Sequence, residues 1–161
     1  RQRQMCIRDR IVLEPGCGMG YFTLPLARMV GPKGRVVAVD IQLKMLSVLE
    51  RRARKARLLD IIELRHTGAK GLRVEDLADT VDFTAALHVV HEIPSQTNFF
   101  TEVKNALKPW GRLLVVEPKG HVSQEEFEQT IATAEKIGFK AQVRLSKVGS
   151  RGVLLTKPGI L

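Results

Sequence analysis

Along the chain, short apolar runs alternate with stretches in which apolar residues recur every three or four positions. The runs predict buried parallel strands at Ile11–Glu14, Arg35–Val39, Ile61–His66, Val81–His88 and Arg112–Glu117. Two further runs, Lys140–Leu145 and Gly152–Thr156, are joined by "SKVGSRG", whose glycines suit a hairpin. The helices between them have readable ends. Phe22, Leu26 and Met29 repeat at helical spacing until "GPKG" stops the pattern, and Leu43, Leu46 and Leu49 form a second stripe. Ser95 can cap a helix that carries Phe99, Val103 and Leu107 and is closed by Pro109. Ser123 and Glu126 make a capping box ahead of Phe127, Ile131 and Ala134, with Gly138 as the stop. Five strand–helix alternations and a final hairpin predict an α/β fold. Its doubly wound, seven-stranded sheet is mostly parallel, with a C-terminal antiparallel hairpin.

Composition narrows the setting. The chain has 161 residues, enough for one domain with its own core, and 44% of them are hydrophobic. No run approaches the length needed to span a bilayer. Only Cys6 and Cys17 carry thiols, so a disulfide framework is not expected and a reducing cytoplasm is the expected compartment. The net charge is +9, and the first ten residues, "RQRQMCIRDR", supply +3 of it through four Arg against one Asp. That segment lacks apolar periodicity. It is expected to be a non-native or disordered tail ahead of a truncated start, with the folded domain running from 11 to 158. Much of the remaining charge lies in "RRARKAR" (Arg51 to Arg57), read as a solvated helix face because no aromatic residues are interleaved for base stacking.

The chemistry is concentrated after the first strand. "EPGCGMG" sets Gly16, Gly18 and Gly20 between a strand and a helix, which permits tight turns and close approach of backbone to a ligand. N–H groups at the start of the following helix favour a carboxylate or phosphate. "VVAVD" then ends in Asp40 at the tip of the second strand, where a carboxylate can accept two ribose hydroxyls and Ile41 offers an apolar surface for a purine. A dinucleotide site wants G-x-G-x-x-G, but Tyr21 stands where its last glycine belongs.

The combination resembles the class I S-adenosylmethionine-dependent methyltransferases of the small-molecule type, with a Rossmann-like sheet. "VLEPGCGMG", "VVAVD", "VDFTAALHVVHEIP" and "ALKPWGRLLVVEP" carry the resemblance, which covers nearly everything from Ile11 to Thr156. It implies S-adenosyl-L-methionine as cofactor. Glu14 and the loop of Gly16, Cys17, Gly18 and Gly20 would hold the methionine end, Asp40 the ribose and Ile41 the adenine. Ala86 and Leu87 would line the sulfonium region by their backbone. In "GAKGL", Gly68 stands where the family usually has a carboxylate near the adenine, so recognition there leans on Thr67, Gly68 and Ala69.

Methyl transfer is an in-line displacement that asks mainly for alignment and exclusion of water. A base is needed only when the acceptor loses a proton. His88 and His91 after the fourth strand, and Glu117 and His121 after the fifth, are the candidate catalytic residues. No metal site is expected, because these groups lack tight ligand spacing. Cys17 has no evident base and reads as a packed loop thiol. No N-P-P-Y-like stretch follows the fourth strand, which disfavours methylation of nucleic-acid bases. The expected partner is therefore a small-molecule acceptor, quinone-like or lipid-like, rather than nucleic acid, with no oligomeric state implied. Two other readings remain: a non-catalytic methyltransferase-like binding module, and an NAD-dependent oxidoreductase.

Overall fold

The computed structural model describes residues 6–160. Seven strands and four helices follow one another along the chain. They are β1 (Ile11–Pro15), α1 (Thr23–Val30), β2 (Arg35–Asp40), α2 (Leu43–Lys55), β3 (Ile62–His66), β4 (Val81–Leu87), α3 (Gln96–Ala106), β5 (Leu107–Pro118), α4 (Gln124–Ile137), β6 (Lys140–Lys147) and β7 (Ser150–Thr156). The strands form one sheet in the order β3-β2-β1-β4-β5-β7-β6. β1 to β5 are mutually parallel, and β7 inserts antiparallel between β5 and β6. The expected α/β architecture is present, including the hairpin at its end.

Successive residues of the central strands serve different layers, which is why those strands read as unbroken apolar runs. Val12, Val36 and Ala38 pack with Leu24, Ala27, Leu46 and Leu49 of α1 and α2. Leu13, Val37 and Val39 pack on the other face, in a core shared with Phe99, Phe100 and Val103 of α3 and Phe127, Ile131 and Ala134 of α4. A parallel strand covered on both faces has no polar side to display.

Helix ends follow local chemistry. The Ser123 hydroxyl accepts the Glu126 N–H while the Glu126 carboxylate accepts the Ser123 N–H, completing the capping box, and Gly138 closes α4 in the left-handed region. Ser95 caps α3 by accepting the Asn98 N–H.

Three expectations are revised by packing. The buried face of α1 is Thr23, Leu24, Ala27 and Val30, whereas Met29 is 54% exposed. Ala27 and Val30 let the short helix lie close to the sheet, and the Thr23 hydroxyl donates to the buried Glu14 carboxyl, fixing the rotation. On α2, Leu46, Leu49 and Ala53 are buried and Leu43 lies outside the stripe. Leu107 belongs to β5, not α3. Pro109 disfavours helical backbone at Lys108, and Leu107 pairs with Val81 while Trp110 N–H donates to the Lys157 carbonyl at 2.8 Å.

The segment ahead of Ile11 is described from Cys6 onward, and the expectation for residues 1–5 lies outside the described residues. Ile7 is buried in the α1–α2 layer, and Asp9 N–H donates to the Val30 carbonyl at 2.8 Å. The packing therefore runs upstream of the expected boundary at Ile11. Among the described residues, no helix is long and apolar enough to cross a membrane.

Candidate active site

Strand order reverses between β1 and β4, since β2 and β3 lie on one side of β1 and the later strands on the other. A doubly wound sheet opens a crevice beyond the carboxyl ends of its strands at such a point. A cleft of about 680 Å³ lies there. Gly16, Gly18, Asp40 and Ile41 form one side, Thr67 to Leu72 the floor, and His88, Val89 and the start of α3 the opposite wall.

The glycine loop is built by three different demands. Gly16 has φ +67°, and a Cβ there would meet Val89 Cγ2 at 2.3 Å, so the loop and the β4 exit touch directly. Gly20 has φ +90°, and a Cβ there would strike Leu49 of α2 at 2.2 Å, so this glycine serves helix packing. Gly18, at φ +55°, faces open space. Only the middle glycine keeps a clear backbone surface toward the cleft.

Asp40 ties this half together. Its Oδ2 accepts the Gly18 N–H at 2.8 Å and its Oδ1 accepts the Gln42 N–H at 2.8 Å. Its own carbonyl accepts the Thr67 N–H at 3.0 Å. An ionised carboxylate has about four lone-pair sites, so two remain for a ligand's hydroxyls. Above it, Ile41 is 59% exposed and lines the cleft.

Behind the loop, Glu14 is 2% exposed and is a wall of the core rather than of the cleft. Burial pushes its carboxyl up to about 7, the Thr23 hydroxyl opposes that shift, and Asp40 adds to it. Burial likewise pushes the Cys17 thiol far up, with Glu14 and Asp40 reinforcing the effect, so it stays protonated as a packing group.

On the other side, His88 sits in the left-handed region at φ +59° and donates its N–H to the Val116 carbonyl at 2.7 Å. Its ring lines the cleft and meets Phe22 edge-on, with centroids 6.1 Å apart. Glu117 is 1% exposed and turned inward. Its carboxylate accepts the Val90 N–H at 3.1 Å and the His91 N–H at 3.2 Å, and its Oε2 is hydrogen-bonded to His91 Nδ1 at 2.5 Å. The His91 ring stacks on His121 at 5.9 Å. Among the described residues, no group of three potential ligands is arranged to hold a metal ion.

Of the residues singled out from the sequence, Gly16, Gly18, Asp40, Ile41, Gly68, Ala69 and His88 line the cleft. The Ala86 side chain is fully buried in the α3–α4 core and Leu87 packs toward the α1–α2 layer on the other face, while the exit residues of β4, His88 and Val89, line the cleft. Glu117, His91 and His121 gather into one cluster beside the cleft rather than in it. The sequence reading missed Met45, Asn98, Phe99 and Glu102, which line the cleft from α2 and α3. Glu102 also accepts the Leu72 N–H at 3.0 Å, anchoring the 67–72 loop from α3. A turn of helix spaced from Asn98 to Glu102 is the only sequence signal, and it reads as an ordinary polar face.

A nucleotide-type cleft on this sheet, with a G-x-G-x-G loop and an acid closing the second strand, defines a methyltransferase-type α/β domain. Residues 13–115 match the methyltransferase-domain family, and the chain belongs to that family. It is 30% identical over 105 residues to a demethylmenaquinone methyltransferase of Lactobacillus johnsonii, covering 65% of this chain and 42% of that protein. A protein of the same name from Symbiobacterium thermophilum is 33% identical over 106 residues, 66% of this chain and 41% of its own length. The match thus spans less than half the length of these relatives. A solved SAM-dependent methyltransferase from Aquifex aeolicus superposes with a TM-score of 0.83 at 24% identity, over 93% of this chain and 83% of that one. At that identity the likeness shows the fold.

Proposed function

We propose that this chain binds S-adenosyl-L-methionine and transfers its methyl group to a small, amphiphilic, quinone-like acceptor in the cytoplasm. The observation that carries the reading is Asp40, whose carboxylate spans the Gly18 and Gln42 N–H groups and keeps unspent lone pairs on the cleft. The residues present fit such a cofactor. A Cβ at Gly18 or Gly68 would meet nothing within 4 Å, so backbone is bare on both sides of the cleft. Asp40 would take the ribose hydroxyls, Ile41 would cover one face of the purine, and the Thr67–Leu72 loop would follow its edge. When bound, the cofactor supplies an electrophilic methyl group on sulfonium.

The chain's own contribution is orientation and dryness. The Gly16–Val89 contact closes the loop against the β4 exit, and His88, held by Val116 and Phe22, gives a rigid wall beside the reacting region. Alignment of this kind can account for several kcal/mol of barrier lowering. The acceptor class is supported by the names of the relatives and by the apolar wall residues Ile93, Pro94 and Phe99. The cytoplasmic setting is supported by two free thiols.

The test is calorimetric titration of the folded chain with S-adenosylhomocysteine, with NAD and the Asp40→Ala variant as controls. Binding to the first ligand, none to NAD and loss in the variant are expected. Binding to NAD, or equal affinity in the variant, overturns the reading. Tight cofactor binding without turnover on 1,4-naphthoquinol acceptors would instead favour the binding-only module. Gly68, which puts no carboxylate in the floor of the cleft, is the observation on that side.

A further inference from the structure

We propose that Glu117 is a positioning residue that sets the tautomer of His91, making His91 Nε2 the proton acceptor for the methyl acceptor. The inference rests on the methyltransferase reading above for its chemistry, although the tautomer itself does not depend on it.

Three groups converge on the Glu117 carboxylate: the donors Val90 N–H and His91 N–H, and the His91 ring through Nδ1. Both carboxylate oxygens already accept backbone N–H groups, the arrangement an acceptor-only carboxylate takes; with Glu117 accepting from the ring as well, Nδ1 carries the hydrogen and, in the neutral imidazole, Nε2 presents the lone pair. The same clasp holds the Val90–Glu92 turn, so main chain and ring are oriented by one buried group. His121 stacks on the ring with an interplanar angle of 23° and removes one face from motion. Nε2, on the far side of the ring, lies 3.8 Å from Oε1 of Glu92, a residue that lines the cleft. That contact places Nε2 beside a wall residue of the cleft. His88, the other histidine of this wall, has a ring contact with Phe22 but no carboxylate partner to choose its tautomer among the described residues.

In the reaction, a bond forms between the methyl carbon and the acceptor atom as the carbon–sulfur bond breaks, its electron pair staying on sulfur. The acceptor's proton moves to His91 Nε2. The resulting imidazolium is compensated by Glu117 across Nδ1–H and later loses its proton to water. An orienting carboxylate of this kind acts through the base and need not touch the acceptor.

The experiment pairs a spectroscopic readout with kinetics on the full chain. Nitrogen-15 spectra of histidine-labelled protein are expected to show His91 as the Nδ1–H tautomer. In Glu117→Gln the amide can donate to Nδ1, so the signal is expected to move to the Nε2–H form. With reduced 1,4-naphthoquinone as the acceptor probe, kcat is expected to fall at least about 100-fold while KM and the affinity for S-adenosylhomocysteine change less than about 3-fold. His91→Gln, which keeps both backbone bonds of Glu117, is expected to show the same kinetic split and serves if Glu117→Gln does not fold. An Nε2–H tautomer in the unaltered protein overturns the proposal, as does a kcat within about 3-fold in a folded His91→Gln. Failure of the unaltered chain to bind S-adenosylhomocysteine would instead sink the functional reading, leaving the tautomer result to decide the positioning role.

Discussion

Asp40 and Glu117 occupy equivalent places, each a carboxylate at the carboxyl end of a parallel strand, and each accepts two backbone N–H groups. Asp40 is partly exposed and lines the cleft, with lone pairs left over. Glu117 is 1% exposed, and its remaining capacity goes to the His91 ring. The same group in the same topological position thus does opposite work. One presents its carboxylate to the cleft, and the other holds a loop. Glu14, at the end of β1, is a third case, buried with a single hydroxyl donor. What separates the three is how many donors the surrounding backbone supplies and whether water reaches the group.

That contrast can be broken in graded ways. The largest effect is expected from Glu117→Ala, which orphans two N–H groups and an imidazole in a buried setting. A loss of roughly 3–5 kcal/mol is expected, read from the urea midpoint. Asp40→Ala should cost much less stability, because water can reach its partners.

Glu14 comes next. Its native carboxyl, near 7 against an ordinary value of 4.5, binds the proton more tightly folded than unfolded. Stability from this group is therefore full below its unfolded value, falls as pH rises toward 7, and levels off above. The span is on the order of 3 kcal/mol. Glu14→Gln is expected to remove that slope, seen as a difference from the unaltered chain between melts at pH 5 and pH 8. A parallel slope in both chains would contradict it.

Smaller again is Asp40→Ala, for which affinity for S-adenosylhomocysteine should drop roughly 10- to 100-fold by calorimetry, matching the loss of one or two charged hydrogen bonds. The mildest change is Gly18→Ala. Its Cβ meets no neighbour, so only the left-handed backbone is strained, at about 1 kcal/mol, and the melt should move by a few degrees. Because that methyl enters the cleft, affinity should suffer more than stability.

Much of this was legible from the chain. The succession of strands and helices, the closing hairpin, the glycine loop and Asp40 all follow from local rules: apolar runs covered on both faces, turn glycines, an acid at a strand end. The α4 capping box was readable for the same reason, since Ser123 and Glu126 satisfy each other within one turn. Helix faces were less so. Phe22, Leu26 and Met29 have the right spacing, yet the sheet took the smaller Thr23, Ala27 and Val30, because close packing on a flat sheet rewards short side chains. The α3 wall of the cleft, Asn98 to Glu102, was silent because a polar helix face looks alike whether it meets solvent or ligand.

By itself, then, the sequence determined the α/β class, the place of the cleft and the backbone cradle beneath it, because those depend on neighbours along the chain. Only the tertiary structure decided which carboxylate is available. Burial and hydrogen-bond donors arrive from strands and turns distant in sequence. Val90 and His91 reach Glu117 across 27 and 26 residues, and Gly18 reaches Asp40 across 22. Whether a charged group serves ligand or fold is a property of that assembled environment, and no single segment carries it.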